Sequence, residues 1–157
     1  MLGMTLRPAR ASDAETLGFL FVDAIRTTGP EHYSNAQVRV WIASAADPGV
    51  YGRRVLQAQV TIAEDETGAV GFGALADDGH VAALFVRGDR QRRGVGRALL
   101  AALVEQAHEG GVGRLYAEAS VFSLPLFLQA GFVQMGTDVF ERDGVEIGRA
   151  LVRRDMG

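Results

Sequence analysis

The 157-residue sequence predicts a single α/β domain of the α+β kind, spanning residues 1–157. Three features of its pattern predict this. Two capping boxes open an N-terminal helical segment. A run of short apolar strands broken by Gly-containing turns follows. Then a strand, a glycine- and arginine-rich loop, a helix and another strand form a crossover unit, and a meander followed by such a unit is a mixed α/β arrangement.

The elements follow in order. Thr5 to Arg7 reads as a short first strand. In Ser12-Asp13-Ala14-Glu15, Ser sits at the N-cap position and Glu three residues on, which opens a helix running to about Arg26. Leu17, Leu20, Phe21, Ala24 and Ile25 share one face of it. Thr27-Thr28-Gly29-Pro30 ends that helix. Ser34-Asn35-Ala36-Gln37 is a second capping box, heading a shorter helix through Trp41 and Ile42, and Asp47-Pro48-Gly49 breaks the pattern. The period then changes. Val55 to Ala63 and Ala69 to Ala76 read as strands joined by Glu66-Thr67-Gly68, and Asp77-Asp78-Gly79 leads into a third strand, Val81 to Val86. After the polar loop Arg87 to Arg93 the pattern is helical from Gly94, with Val95, Leu99, Leu100, Leu103 and Val104 on one side, ending near Gly110-Gly111. Leu115 to Ala119 is a strand and Leu124 to Ala130 a short helix closed by Gly131. Two last strands cover about Phe132 to Phe140 and Val145 to Val152. The crossover from the Val81 strand to the Leu115 strand should be parallel and right-handed.

Composition removes several classes of function. Hydrophobic residues make up 48% and charged residues 22%, the balance of a globular chain. There is no Cys, hence no disulfide, thiolate metal site or Cys nucleophile. His32, His80 and His108 are scattered and not at ligand spacing, so no metal is expected. No apolar run has the length of a membrane span and no leader pattern opens the chain, which leads us to expect a cytoplasmic protein without a membrane partner. A net charge of −3 argues against a nucleic-acid partner held by phosphate neutralisation. Every basic residue is Arg, and the absence of Lys excludes Schiff-base chemistry and a P-loop lysine. Arg87, Arg90, Arg92, Arg93 and Arg97 crowd one short stretch of an acidic chain, which suggests a small anionic ligand.

That stretch, Val86 to Leu100, is a strand end, a loop and the first turn of a helix. A helix start leaves backbone N–H groups without intrahelical partners and carries partial positive charge. Gly94 and Gly96 let a diphosphate approach those groups, and arginines around the loop add charge-assisted contacts. A dinucleotide fold needs a third glycine or alanine where Leu99 stands. The pattern Gln/Arg-x-x-Gly-x-Gly/Ala after a strand ending in Val is met throughout by Gln91-Arg92-Arg93-Gly94-Val95-Gly96.

On these residues the chain resembles the GNAT superfamily of N-acetyltransferases, over nearly its whole length. Leu84-Phe85-Val86 is similar to the family's preceding strand end. Downstream, Glu118-Ala119-Ser120, Pro125-Leu126-Phe127 and Ala130-Gly131-Phe132 fall at the spacing of its later strand and helix. The helix pair with Tyr33-Ser34 and Gln37 before Trp41 resembles a small bacterial branch. The resemblance implies a central, mixed, mostly antiparallel twisted sheet of about six to seven strands with four helices, splayed between the fourth and fifth strands. It implies acetyl-CoA as cosubstrate and an amine acceptor, either a small molecule or a peptide, with the chain acting as a monomer or homodimer.

The same resemblance implies site residues. Cofactor contacts would come from Leu84, Phe85, Val86, Gln91, Arg92, Arg93, Gly94, Val95, Gly96, Arg97, Ser120 and Phe127. A strand bulge would free backbone groups around Leu84 to Val86, and the N–H of Phe85 would steady an oxyanion. Phe127 stands where the family often has a proton-donating Tyr, so the thiolate would leave unassisted or water or Tyr116 would substitute as acid, and a non-catalytic acyl-CoA sensor is the competing reading. Glu118 is a candidate general base, or a strand residue paired with a nearby Arg. His80 has a pKa suited to proton removal, or is an exposed turn histidine. Tyr33 and Trp41 border the acceptor side, and Trp41 also reads as core.

Overall fold

The computed structural model describes residues 3–157. Strand β1 (Thr5–Pro8) enters the sheet beside β2. The first helix begins differently from the Ser12 box. Asp13 organises the start: its carboxylate accepts a bond of 2.7 Å from the Arg10 N–H and two from the Arg7 guanidinium, at 2.8 and 2.9 Å. A 3-10 turn over Ala11–Asp13 therefore precedes α1 (Ala14–Thr28). A carboxylate fixed by an arginine of β1 is a stronger acceptor than a serine hydroxyl, and it wins. The second box holds as read. Ser34 Oγ accepts from Gln37 N–H at 3.1 Å and Gln37 Oε1 accepts from Ser34 N–H at 2.9 Å, opening α2 (Asn35–Ile42).

Asp47-Pro48 does not only end a helix, as its sequence suggests; it begins one. Asp47 caps α3 (Pro48–Val55) by accepting from Val50 N–H at 3.2 Å, and proline in the first turn has no N–H to lose. Five α-helices rather than four are thus present among the described residues, and the strand expected from Val55 starts instead at Gln59. Helix α3 packs on α1 through missing side chains. A Cβ at Gly52 would lie 1.7 Å from Ala14 O, and one at Gly18 would lie 2.4 Å from Pro48 Cα.

Strands β2 (Gln59–Asp65), β3 (Gly68–Leu75) and β4 (Val81–Val86) complete a four-stranded antiparallel sheet in the order β1-β2-β3-β4. Helix α4 (Val95–Glu109) leads to β5 (Arg114–Ala119), α5 (Leu124–Gln129), β6 (Val133–Arg142) and β7 (Val145–Asp155). The last three strands form an antiparallel sheet in the order β5-β7-β6. Between β4 and β5 the sheets touch through one isolated parallel bridge, His80 to Tyr116. The crossover is parallel there, and beyond it the strands diverge.

Alternation along β2, and an extra residue in β3 at Val70, distribute the core. Ile62 and Phe72 pack with Leu17, Phe21 and Ile25 of α1, whereas Ala63 and Val70 pack with Val95 and Leu99 of α4. A third cluster joins Leu100 and Leu103 to Leu115, Phe127, Phe132 and Val152. No helix among the described residues is long and apolar enough to cross a membrane.

Gly52→Val is expected to lower unfolding free energy by about 2–3 kcal/mol, since the added group must push α3 off α1. Urea denaturation checks this against Gly113→Ala, where an added Cβ meets nothing within 4 Å.

Candidate active site

The loop after β4 is built on internal anchors. Arg90 Nε donates to Asp65 Oδ2 at 2.8 Å, with the Asp65 side chain only 2% exposed. Bonds from Thr67 Oγ1 and then from Arg90 hold the Asp65 carboxyl well below the usual carboxylate range. Arg87 donates to Asp89 at 2.7 Å and to Thr67 Oγ1 at 2.9 Å. Gly88 N–H donates to Asp23 Oδ2 of α1 at 2.8 Å. Of the clustered arginines, Arg87 and Arg90 are therefore structural rather than solvent-facing. Arg92, Arg93 and Arg97 are exposed and enter none of the ion pairs among the described residues.

The loop then turns into α4. Arg92 adopts φ 62°, and Gly94 adopts φ 84°, a conformation glycine takes without steric cost. With Gly94 left-handed, α4 starts at Val95 and no side chain caps it. Gly96 has a second reason to be small: a Cβ there would lie 2.9 Å from Leu126 Cδ2 of α5. Val86, Gln91, Arg92, Gly94, Gly96 and Arg97 contribute to a groove of about 490 Å³, closed on its far side by Phe122, Pro125 and Leu126.

Val86, the last residue of β4, lines this groove, and β4 and β5 part beside it. Opposite Ala74 and Leu75 of β3 stand Ala83 and Val81, so Ala82 is an extra residue and the β4 bulge lies there rather than at Leu84 to Val86. Arg87 N–H donates to Val70 O at 2.8 Å, which fixes the polarity of the ladder. In an antiparallel pair hydrogen-bonded positions alternate, so Phe85 directs its N–H toward Phe72, while Leu84 and Val86 direct theirs into the split. Consistently, the outward carbonyl of Val86 accepts from Gln91 Nε2 at 2.7 Å. Phe85 N–H is thus not available to an oxyanion; its ring lines the split instead.

Two catalytic candidates read separately from the sequence meet. His80 Nε2 lies 2.8 Å from Glu118 Oε1, both side chains 28% exposed. The His80 ring stacks on Tyr116 with centroids 4.8 Å apart, and the backbone N–H of His80 donates to Asp78 Oδ1 at 3.1 Å. The Glu118 contact raises the His80 pKa and His80 lowers that of Glu118. Glu118 is therefore paired with a histidine, not an arginine, and His80 is not a free turn residue. Tyr116 is turned away: its hydroxyl donates to Asp78 Oδ2 at 2.5 Å, and it lines neither cavity at the split.

Beyond the split lies a cavity of about 290 Å³. Tyr33 and Trp41 both line it, edge to face at 5.3 Å. Tyr33 Oη accepts from Val121 N–H at 2.9 Å, and burial raises its pKa. Glu118 and Ser120 line both this cavity and a smaller one of about 70 Å³ in the split itself, which Phe127 floors. Phe127 is 3% exposed and packs edge-on against Phe132, so it serves the core as well. The sequence reading missed Phe21, Tyr51, Phe140 and Arg149, which complete the cavity wall. Their periodicity marks them only as core or strand residues, and only the fold turns them to one place. No group of three or more His, Cys, Asp or Glu among the described residues could hold a metal.

Comparisons with known proteins agree with this geometry. A family model described as an acetyltransferase (GNAT) domain matches residues 30–148. The sequence is 29% identical over 132 residues to YafP, an uncharacterized N-acetyltransferase of Escherichia coli K12, covering 84% of this chain and 83% of that one. A crystal structure from Rhodopseudomonas palustris, described as a GCN5-related N-acetyltransferase (Aminotransferase, Class-II), superposes with a TM-score of 0.92. It is 26% identical and covers 99% of this chain and 98% of its own. The PaiA N-acetyltransferase of Thermoplasma acidophilum in complex with coenzyme A shares the fold at 14% identity, with a TM-score of 0.72 over 98% and 99% of the two chains. With a split sheet, a glycine-started helix at its edge and a family match over most of its length, the chain belongs to the GNAT family of N-acetyltransferases.

Proposed function

We propose that this protein transfers an acetyl group from acetyl-CoA to a primary amine by direct attack of the amine on the thioester. The observation that carries this reading is the uncapped start of α4 beside the split, flanked by three uncommitted arginines. The free N–H groups of Val95, Gly96 and Arg97 would hold the diphosphate, with Arg92, Arg93 and Arg97 supplying charge. The outward N–H groups of Leu84 and Val86 and the Leu84 carbonyl would bond the pantetheine amides as an added strand. Acetyl-CoA supplies the activated acyl carbon. The amine enters from the aromatic cavity, its nitrogen bonds that carbon, the carbon–sulfur bond breaks, and the proton from nitrogen passes to the Glu118–His80 pair. Histidine is the member suited to hold it, because the carboxylate is made a weaker base by the contact that strengthens the imidazole. Phe127 offers no proton, so the thiol departs as thiolate, tolerable for a group with a reference pKa of about 8.5. Positioning and desolvation supply most of the rate.

Calorimetry should give a micromolar Kd for acetyl-CoA. Arg97→Ala should weaken it about tenfold and added salt should act in the same direction. A triple Ala variant of Arg92, Arg93 and Arg97 with unchanged Kd would remove the loop assignment. Binding without thiol release from any amine would leave the sensor reading instead.

The His80–Glu118 pair also makes stability depend on pH. A raised histidine pKa contributes stability that is complete below the unfolded value of about 6.5 and lost as pH rises through the folded value. The lowered Glu118 pKa contributes above its unfolded value of about 4.3 and is lost as pH falls through its folded value. His80→Gln should therefore lower Tm most between the two unfolded values, near about pH 5.5, and progressively less as pH rises through the raised histidine pKa. A Tm difference independent of pH would mean that the pair is not ionised.

A further inference from the structure

The wall of the cavity says more about the acceptor than the family does. Phe21 stacks on Tyr51 with centroids 4.4 Å apart and meets Phe85 edge-on at 4.9 Å. Facing them are Tyr33 and Trp41, and Phe140 closes a third side. At about 290 Å³ the space lies at the small end of the ~300–1,000 Å³ range of ligand pockets. Such a space suits one flat apolar body between rings.

Charge is distributed along the cavity in a definite way. Glu118 is the one carboxylate on its wall among the described residues, and it stands at the end shared with the split. Oε1 is engaged by His80, and Oε2 enters no hydrogen bond among the described residues. Arg149 also reaches the wall, fixed by two bonds to Asp138 at 2.9 and 2.8 Å with its guanidinium 5.7 Å from the Phe140 ring centroid. One acidic group and one basic group accommodate a single ammonium; a second ammonium would find rings and a guanidinium in place of a carboxylate. The elements around it are also tied to one another. Gln37 Nε2 donates to Glu146 O at 2.8 Å, joining α2 to β7, and the Tyr33–Val121 bond joins the segment before α2 to the loop after β5. An extended peptide would need an open, strand-like trough with free backbone partners.

Resting on the acetyl-transfer reading above, we propose that the acceptor is a monocationic primary amine with an aromatic or similarly flat apolar body. Its ammonium is received by Glu118 Oε2 at the split, and its body lies among Phe21, Trp41, Tyr51 and Phe140. Aromatic faces beside the ammonium add cation–π attraction once water has left. The amine must lose a proton before attack, and the Glu118–His80 pair sits where that proton leaves.

The test uses the full chain and the fact that Trp41 is its sole tryptophan, so that intrinsic emission reports this cavity. Phenethylamine, spermidine and an alanine-ended tetrapeptide are each titrated against Trp41 emission, and thiol release from acetyl-CoA is measured with each. Phenethylamine should shift the emission saturably and show kcat/KM about tenfold or more above the other two. Glu118→Gln should weaken its binding about tenfold while acetyl-CoA still binds. Equal or better turnover of spermidine or the tetrapeptide overturns the acceptor assignment and leaves acetyl transfer standing. Absence of both an emission change and turnover with phenethylamine also overturns it. A saturable emission shift with no amine acetylated, although acetyl-CoA binds, supports the pocket assignment and refutes the transfer reading.

Discussion

The divergence of β4 from β5 is the constraint on which the rest of the molecule depends. Had the two strands paired along their length, the seven strands would make one sheet with no opening. Pairing stops after His80 and Tyr116, where the turn at Asp78 and Gly79 is bonded to β5 from both sides: Tyr116 N–H donates to Gly79 O at 3.1 Å and its hydroxyl to Asp78. Two residues beyond His80, Ala82 is inserted and β4 bends away. The opening is lined by Phe85 of β4 itself together with Phe127 of α5 and Trp41 of α2. It is a cleft with a packed floor, and its edges are backbone groups that a ligand can complete.

Helix α1 turns that cleft into a site. Its buried face covers one side of the first sheet, and its polar Asp23 holds Gly88 at the point where the chain leaves β4. Its small residues admit α3 at close quarters, and α3 brings Tyr51 to the aromatic cavity. One helix thereby sets the beginning of the loop before α4 and, through α3, part of the wall of that cavity. Stability and geometry are linked at the same residues.

Much of this was legible in the sequence where the information is local. Val81–Val86 was read to the residue, because apolar strand residues there are bounded by a Gly turn and an Arg-rich loop. The Gln91 to Gly96 loop was legible because a left-handed glycine followed by a helix is a local event. Proline was read as a breaker at Pro48 when its place after Asp47 made it a first-turn residue, and both readings use the same chemistry of a missing N–H. The pairing of His80 with Glu118 joins residues 38 positions apart, and no periodicity carries it. The same holds for the ring cluster: Phe21, Tyr51 and Phe140 come from two helices and a late strand, and only tertiary packing makes them neighbours.

The attachment of Arg90 to Asp65 reaches further than the loop it steadies. Asp65 and Thr67 belong to the tight connection between β2 and β3, remote in sequence from α4, yet their bonds fix the path of the chain just before Arg92 turns left-handed. Chain entropy that would otherwise be surrendered when a nucleotide docks has already been given up during folding. Drift in that hairpin tip would therefore change how long a ligand held by this loop stays rather than where it sits.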